Sequence, residues 1–524
     1  MEPITKTSPQ RVALNVIQPV KIPSLDGIEE FRRALLELNI DLPTDDRILT
    51  LREGSPLAKP IKVGRFFVGN RFACQPMEGW DGTEDGRPTE HVKRRWRRFF
   101  ESGAKLIWCE ATAVDRDFRA NPFQLCFGGD NYLELGKLLK ESKEAHIRRF
   151  GTADDLLVGI QLTHSGRFCK PNDNKRFEPK IAYHHPLLDK KFGIKPDDDS
   201  VLITDREVEE LIELYIKAAK QAHEAGFQFV DVKACHGYLL HEFLSAFNRP
   251  GPYGGESLEN RSRILCEIIR RIKKEVPDLM IGVRLSAFDF PPFKPDPARG
   301  KGDKLGPGIP EDFSGCLPYP IFGANRNNPL EIDLSEPIEL IWKLKYFGVE
   351  IMNITAGSPY YCPHIQRPAL FPPSDGYQPP EDPLIGVTRQ IHVARELKEY
   401  FSDLVMVGTA YTYLQEFFPH VAQAVVRERW TDFVGLGRAL LSYPEMPQDI
   451  LEKGKLDHKG LCRTFSDCTT GPRGGLLSGC FPLDDYYANL SDAEKLQIAK
   501  EAQRQKVRDQ NQAAQAQLLA ATKP

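Results

Sequence analysis

The run from Phe229 to Arg261, FVDVKACHGYLLHEFLSAFNRPGPYGGESLENR, ends a short apolar stretch in a crowd of chemically capable side chains. Lys233, His236 and Tyr238 follow Val232 within six residues. An amine, an imidazole and a phenol held this close can donate to a developing oxyanion and pass on a proton. In a closed α/β barrel, the C-terminal mouth of a strand is where such groups stand. The cluster therefore predicts an active-site wall.

Around it lies an ordinary globular composition, with 524 residues of which 41% are hydrophobic and 27% charged. The formal net charge of -3 gives no basis for nucleic-acid binding. No apolar run approaches the roughly 18 residues of a spanning helix, so no membrane is expected. The opening MEPITKTSPQRVALNVIQPVK lacks the apolar core and cleavage site of a secretory leader, which predicts a cytoplasmic location. Eleven cysteines are scattered singly, Cys74, Cys109, Cys126 and Cys266 among them. They read as small buried hydrophobes and not as a disulfide framework.

The elements needed to position the cluster recur along the chain. Strand candidates fall at FACQPM (72–77), LIWCEA (106–111), LVGIQL (157–162), FVDVKA (229–234), MIGVRL (280–285), EIMNIT (350–355), LVMVGT (404–409) and DFVGLG (432–437). Each is a near-continuous apolar run, as strands buried on both faces require. Helical periods separate them: in DREVEELIELYIKAAKQAHEAG, apolar residues recur three and four apart and Gly226 marks the stop. Eight such units predict an α/β fold, a closed parallel (β/α)8 or TIM barrel, over residues 61–445.

Four regions depart from the repeat. Residues 1–60 form an N-terminal extension, and VGRFFVGNRF has Gly-Asn turn chemistry suited to a hairpin packed on the barrel bottom. The insertion 288–333, rich in Pro, Gly and Lys, is too long for an ordinary βα loop. It predicts a lid that sets substrate size. Residues 446–490 carry cysteines, and the tail 491–524 opens with Ser491 and Glu494 in capping-box spacing. That tail is expected as an exposed or intermolecular helix.

HGYLLHEFLS with YGGESLENR, GIQLTHSGR at 159–167, IGVRLSAFD at 281–289 and FVGLGRALLSYP at 433–444 together resemble the old yellow enzyme family of FMN-dependent ene-reductases. These motifs fall at the ends of the third, fourth, fifth and eighth strands. The resemblance implies an NADH:flavin oxidoreductase with FMN as cofactor and NADH or NADPH as reductant. It implies that Arg284 lies against the flavin ring and that Gln161 bonds its edge. Pro76, Met77, Glu78 and Glu110 complete the expected cofactor wall. A phosphate needs exposed backbone N–H groups beside a cation, which Gly408 with Thr409 and Gly437 with Arg438 can supply. The alternatives are tight βα turns for the glycines and an inward carboxylate partner for Arg284.

On the substrate side the resemblance implies Tyr238 as proton donor, with Lys233 and His236 holding the carbonyl oxygen of an activated alkene. His164 and Arg167 in LTHSGR would organise the site, His164 also touching substrate. Tyr238 could instead be a core aromatic, and His236 or His164 a satisfied buried histidine. Two positions depart from the family. Lys233 stands where histidine is usual, and Glu78 where Thr or Cys bonds the flavin. An ionised Glu78 would disfavour the reduced flavin anion, so a Lys233–Glu78 ion pair is the preferred expectation, with Glu110 the other candidate partner.

Cys462, Cys468 and Cys480 follow the barrel where larger relatives, those resembling dienoyl-CoA reductase and trimethylamine dehydrogenase, carry a four-cysteine cluster. Three thiolates fall short of four, with Phe465 where the second ligand should fall, so packed thiols without metal are expected. The sequence points to a small-molecule oxidoreductase acting on a conjugated carbonyl compound, with a homo-oligomer left open. Two rivals stand beside it: an aldolase-like barrel using Lys233 as a Schiff base, and a flavin-binding electron-transfer or assembly subunit docking through its tail.

Overall fold

The computed structural model of the chain describes residues 18–521, with side chains to residue 517. Residues 1–17, most of the opening run read for a leader, lie outside the described residues. Fourteen strands follow one another among the described residues. A hairpin, β1 (Ile61–Val63) and β2 (Phe66–Val68), precedes the barrel strands β3 (Phe72–Cys74), β4 (Leu106–Ala113), β5 (Leu157–Thr163), β6 (Phe229–Val232) and β7 (Met280–Ser286). Two further hairpins come next, β8 (Phe293–Pro295) with β9 (Gly308–Pro310) and β10 (Ala324–Asn325) with β11 (Asn328–Ile332). The barrel ends with β12 (Val349–Thr355), β13 (Val405–Gly408) and β14 (Phe433–Leu436). β14 pairs with β3, which closes eight parallel strands into a barrel.

Strand side chains alternate between faces, and here the alternation sorts the sequence by chemistry. Val230 and Val232, Ile281 and Val283, and Val158 and Ile160 join the cluster between strands and outer helices. Their neighbours Phe229, Met280 and Leu157 join Trp108, Ile351, Val407 and Phe433 in a separate cluster inside the barrel. Val63 and Val68 of the hairpin pack on that inner cluster from below. Farther along the same inward rows stand Gln161, Asp231 then Lys233, and Arg284. The barrel is thus apolar at its floor and polar at its mouth. Gly159 keeps room for the floor, since a Cβ there would sit 2.3 Å from the Phe229 ring.

The helix Asp205–Glu224 begins with a capping box between Thr204 and Glu207, and Gly226 follows at φ 93. The β1–β2 hairpin differs from expectation in its turn, which lies at Gly64 and Arg65, Gly64 having φ 55. Asn70 instead donates to the Gly103 carbonyl at 2.7 Å, tying the entry of β3 to the next helix's end. The extension before the barrel wraps the last βα units: Phe31 stacks on Phe417 at 4.4 Å, and Asp45 pairs with Arg427.

The tail forms the helix Ser491–Ala521 and packs on its own chain. Leu496 is buried against Phe481 and Tyr487. Lys500 reaches Asp467 at 2.8 Å, and Asn511 donates to the carbonyls of Gly302 and Lys304 at 3.0 and 2.9 Å. The expectation of an exposed helix fails at these positions, because one side of it is occupied. Among the described residues no helix is long and apolar enough to cross a membrane. Leu496→Ala is expected to lower the denaturation midpoint, removing about 2 to 5 kcal/mol of burial and packing; a urea titration of parent and variant measures it.

Candidate active site

A cavity of about 200 Å³ opens at the C-terminal mouth of the barrel. Its floor comes from the inward rows of β5 and β7, as Gln161 and Arg284, and from Gln75 to Glu78 after β3. One wall is Lys233, His236 and Tyr238 after β6. Opposite stand Thr409 after β13 and Gly437 with Arg438 after β14. The rim is completed by Pro359 to Pro368 after β12 and by Cys468 to Arg473.

The wall is shaped by two consecutive left-handed residues, His236 at φ 63 and Gly237 at φ 77. Histidine tolerates this region better than most side chains, and a Cβ on Gly237 would lie 2.9 Å from the Tyr361 ring. The reversal turns Tyr238 back over the cavity as it begins the helix Leu239–Leu244. Lys233 Nζ lies 3.3 Å from Glu78 Oε2 and 3.4 Å from the centre of the Tyr238 ring. Tyr238 donates toward the same Oε2 at 3.4 Å and meets the Tyr360 hydroxyl at 3.1 Å. Glu78 Oε1 accepts from Trp80 Nε1 at 2.8 Å, so this carboxylate is held from three sides.

Burial, with the Glu78 charge second, pushes the Tyr238 phenol well above its usual range. It therefore keeps its proton. Burial and then the cations Arg284 and Lys233 push His236 well below the ordinary imidazole value. His236 is neutral, with Nε2 3.1 Å from Thr355 Oγ1.

At the floor, Asp231 accepts from Trp108 Nε1 at 2.8 Å, from Gln161 Nε2 at 2.6 Å and from the Arg284 backbone at 2.7 Å. With its amide N–H given to Asp231, Gln161 has its carbonyl oxygen to offer the cavity. Arg284 is buried, 8% exposed, and its guanidinium Nε has no partner among the described residues. Burial lowers its pKa. An inward arginine without an ion pair calls for an anionic ligand. At Gly437 a Cβ would approach Met77 Sδ to 2.9 Å, so glycine keeps that wall open. The unpaired Arg284, the acceptor on Gln161 and the cation beside Gly437 fit a flavin mononucleotide: charge at the pyrimidine edge, an acceptor for its N–H, and a phosphate end.

Several expected residues lie elsewhere. Glu110 does not reach the cavity. A bulge between Cys109 and Ala111 breaks the alternation of β4, and the Glu110 carboxylate is taken by Arg95 at 2.9 Å, Trp96 Nε1 at 2.9 Å and the Gly79 N–H at 2.8 Å. Glu78, not Glu110, is the partner of Lys233. His164 follows an inward Thr163 and so points away from the barrel interior. It stacks on Phe118 at 4.0 Å, accepts from the Gly166 N–H, and is pushed down to about 3 by burial. It does not line the cavity. Arg167 is buried against Asp189 and Glu242. Gly408 does not line the cavity; a Cβ there would meet the Tyr411 hydroxyl at 2.7 Å. No residue of 288–333 lines it either, because that insertion folds back onto His364 and Tyr377 through Phe293. The rim is formed by residues from 359–368 and 468–473 instead.

Residues not foreseen include Gln75, Trp80, Thr355, Tyr360, Arg367 and Arg473. Gln75 and Trp80 flank a motif already singled out, and Tyr360 follows a strand end in GSPYYCP. Position after a strand was the signal for them; Arg367 and Arg473 have none. All eleven cysteines are free thiols. Among the described residues no group of three or more His, Cys, Asp or Glu is placed to hold a metal.

Comparison with known proteins adds a family. Residues 56–294 match the NADH:flavin oxidoreductase / NADH oxidase family. The NADH oxidase of Thermoanaerobacter brockii is 26% identical over 419 residues, covering 79% of this chain and 53% of that protein. The NADPH dehydrogenase of Bacillus subtilis is 32% identical over 241 residues, covering 45% of this chain and 64% of that protein. The chain thus spans between half and two thirds of the length of these relatives. Among solved structures, an old yellow enzyme homologue from Zymomonas mobilis superposes with TM-score 0.50 at 21% identity, over 76% of this chain and 94% of that one. A 2-naphthoyl-CoA reductase complex gives TM-score 0.58 at 20% identity, over 83% and 57%. At those identities the likeness shows the fold.

Beneath the cavity, Arg95 joins Glu110 to Asp81, which it holds bidentately at 2.6 and 2.9 Å. Arg95→Met should cost about 3 to 5 kcal/mol, since it leaves two carboxylates buried without a cation. Denaturant unfolding with the flavin bound measures this; a loss below about 1 kcal/mol would show that the carboxylates find other partners.

Proposed function

We propose that this chain belongs to the NADH:flavin oxidoreductase / NADH oxidase family, whose model matches residues 56–294, and that it is an FMN-dependent oxidoreductase of the old yellow enzyme type. In this reading NADH or NADPH reduces the flavin and an activated C=C bond, conjugated to a carbonyl, reoxidises it. The observation that carries the reading is the buried, unpaired Arg284 guanidinium on the floor of a cavity walled by Lys233, His236 and Tyr238.

The bound flavin supplies acceptance and return of a hydride equivalent at its N5. The chain's own residues do the rest. Arg284 stabilises negative charge at the pyrimidine edge, the charge that grows on reduction. Gln161 fixes that edge through its carbonyl oxygen, oriented by Asp231. Thr409, Gly437 and Arg438 receive the phosphate end. Lys233 and His236 donate to the substrate carbonyl oxygen, where negative charge builds as the β-carbon is reduced. Such donors favour the transition state over the ground state. Tyr238, protonated at any working pH because burial and Glu78 hold its proton, delivers that proton to the α-carbon.

Lys233 with Glu78 is the pair at which this site departs from what the family resemblance implies. The ion pair puts the Glu78 charge 3.3 Å from an ammonium, away from a bare encounter with the flavin. It also keeps a cation beside the substrate oxygen, which suits acceptors whose carbonyl bears developing or full negative charge. The Schiff-base reading loses ground here, because the Lys233 amine is committed to Glu78 and the Tyr238 ring.

The absorbance spectrum of the purified protein tests the reading first: a flavin spectrum bleached by NADH or NADPH is expected, and a colourless protein that binds no added FMN would sink it. Tyr238→Phe should slow reoxidation by an activated alkene about 10²- to 10⁴-fold while flavin reduction by the nicotinamide stays within about twofold. Stopped-flow measurement of the two half-reactions separates them, and equal losses in both would contradict the assignment of Tyr238. Glu78→Gln removes a negative charge near the ring and should raise the flavin reduction potential, as a spectroelectrochemical titration would read.

A further inference from the structure

One rim of the cavity comes from parts of the chain beyond the family match. Arg367 ends the short helix Pro363–Gln366 after β12, and Arg438 follows β14. Both line the main cavity and a smaller one beside it. Arg367 Nη1 donates to Ser466 Oγ at 2.9 Å, while its Nη2 is buried without a partner. Ser466 stands at φ 65 and donates in turn to the Phe371 carbonyl at 2.6 Å, so the arginine is braced by a fixed hydroxyl. The third cation of this rim, Arg473, is already occupied by Asp375 at 3.2 Å and the Pro359 carbonyl at 2.8 Å.

Nothing comparable serves Arg438. Burial lowers it to about 10, and the strongest charge facing it is Arg367, followed by the thiols of Cys468 and Cys462. Two half-buried guanidinium groups lining the same two cavities repel each other unless an anion lies within reach of both. The anion has to carry more than one charge and several acceptor oxygens to satisfy two forks at once. A phosphate monoester does so.

We propose that Arg367, supplied by this chain's own segment after β12 and braced by Ser466, is a second ligand for the flavin phosphate, acting together with Arg438. The assignment rests on the flavin reading above. The nicotinamide reductant can carry a phosphate monoester too, so the test separates the two sources.

Full-length protein loaded with FMN or with riboflavin is diluted, and flavin release is followed by recovery of fluorescence. Arg367→Ala should speed FMN release about 10- to 100-fold, the size of a lost charge-assisted hydrogen bond, and leave riboflavin release unchanged. Arg367→Lys should fall between. Should Arg367→Ala fail to fold, Ser466→Ala, which removes the brace, is expected to shift FMN release in the same direction by a smaller factor. An FMN release rate equal to that of the parent overturns the proposal, as does a rise shared equally by riboflavin. So does a loss confined to KM for NADPH with NADH unaffected, which would place Arg367 on the reductant. A parent protein that holds neither flavin would instead fail the flavin reading itself.

Discussion

The buried carboxylate of Asp231 is the interaction on which the site depends. It sits on the inward row of β6, between the apolar floor and the open mouth, and among the described residues no cation is salt-bridged to it. Instead it accepts from the Trp108 indole below, the Gln161 amide beside it and the Arg284 backbone above. Burial pushes its pKa up to about 6, against the pull of those three donors. A carboxylate held by oriented donors rather than by Arg284 leaves the guanidinium unneutralised. That unspent charge is what makes the floor an anion site. If Asp231 paired directly with Arg284, the barrel would be as well satisfied and would have nothing to offer a ligand.

The layering around Asp231 follows from the two-residue period of a strand. Phe229, Asp231 and Lys233 share one row, as do Met280 and Arg284, so each row passes from packing to polarity to chemistry within five residues or so. Val230, Val232 and Ile281 on the outward rows bury against helices. Fixed positions at the floor are thereby transmitted to the mouth without any loop in between. The mouth itself is cationic: Lys233, Arg284, Arg367, Arg438 and Arg473 line it, with Glu78 the acidic residue among them. The field favours anionic ligands at both ends of the cavity.

Much of this could be read in the sequence, because a strand buried on both faces announces itself as an apolar run and the residue after it is near the mouth. All eight strands, and Lys233, His236, Tyr238 and Arg438, were legible for that reason, while Gln161 and Arg284, which lie within their strands, were singled out through the family resemblance. The failures have local physical causes. Glu110 would point inward by simple alternation; a bulge one residue before Ala111 turns it toward Arg95. His164 lies one step past the inward Thr163 and inherits the outward face. The insertion 288–333 has the length of a lid, but Phe293 finds aromatic partners away from the cavity. Arg367 and Arg473 lie in irregular segments whose placement is set by contacts such as Arg367 with Ser466, 99 residues apart, and no periodicity encodes such a pairing.

That long-range contact carries a consequence for biogenesis. Part of the wall that borders β13 and β14 comes from Ser466 to Arg473, more than a hundred residues downstream of β12. A nascent chain emerging from the ribosome can align its early strands while this late stretch is still inside the exit tunnel. Until the stretch is released, the rim around Arg438 stays incomplete, so the cofactor's phosphate end is enclosed only after all eight barrel strands have emerged.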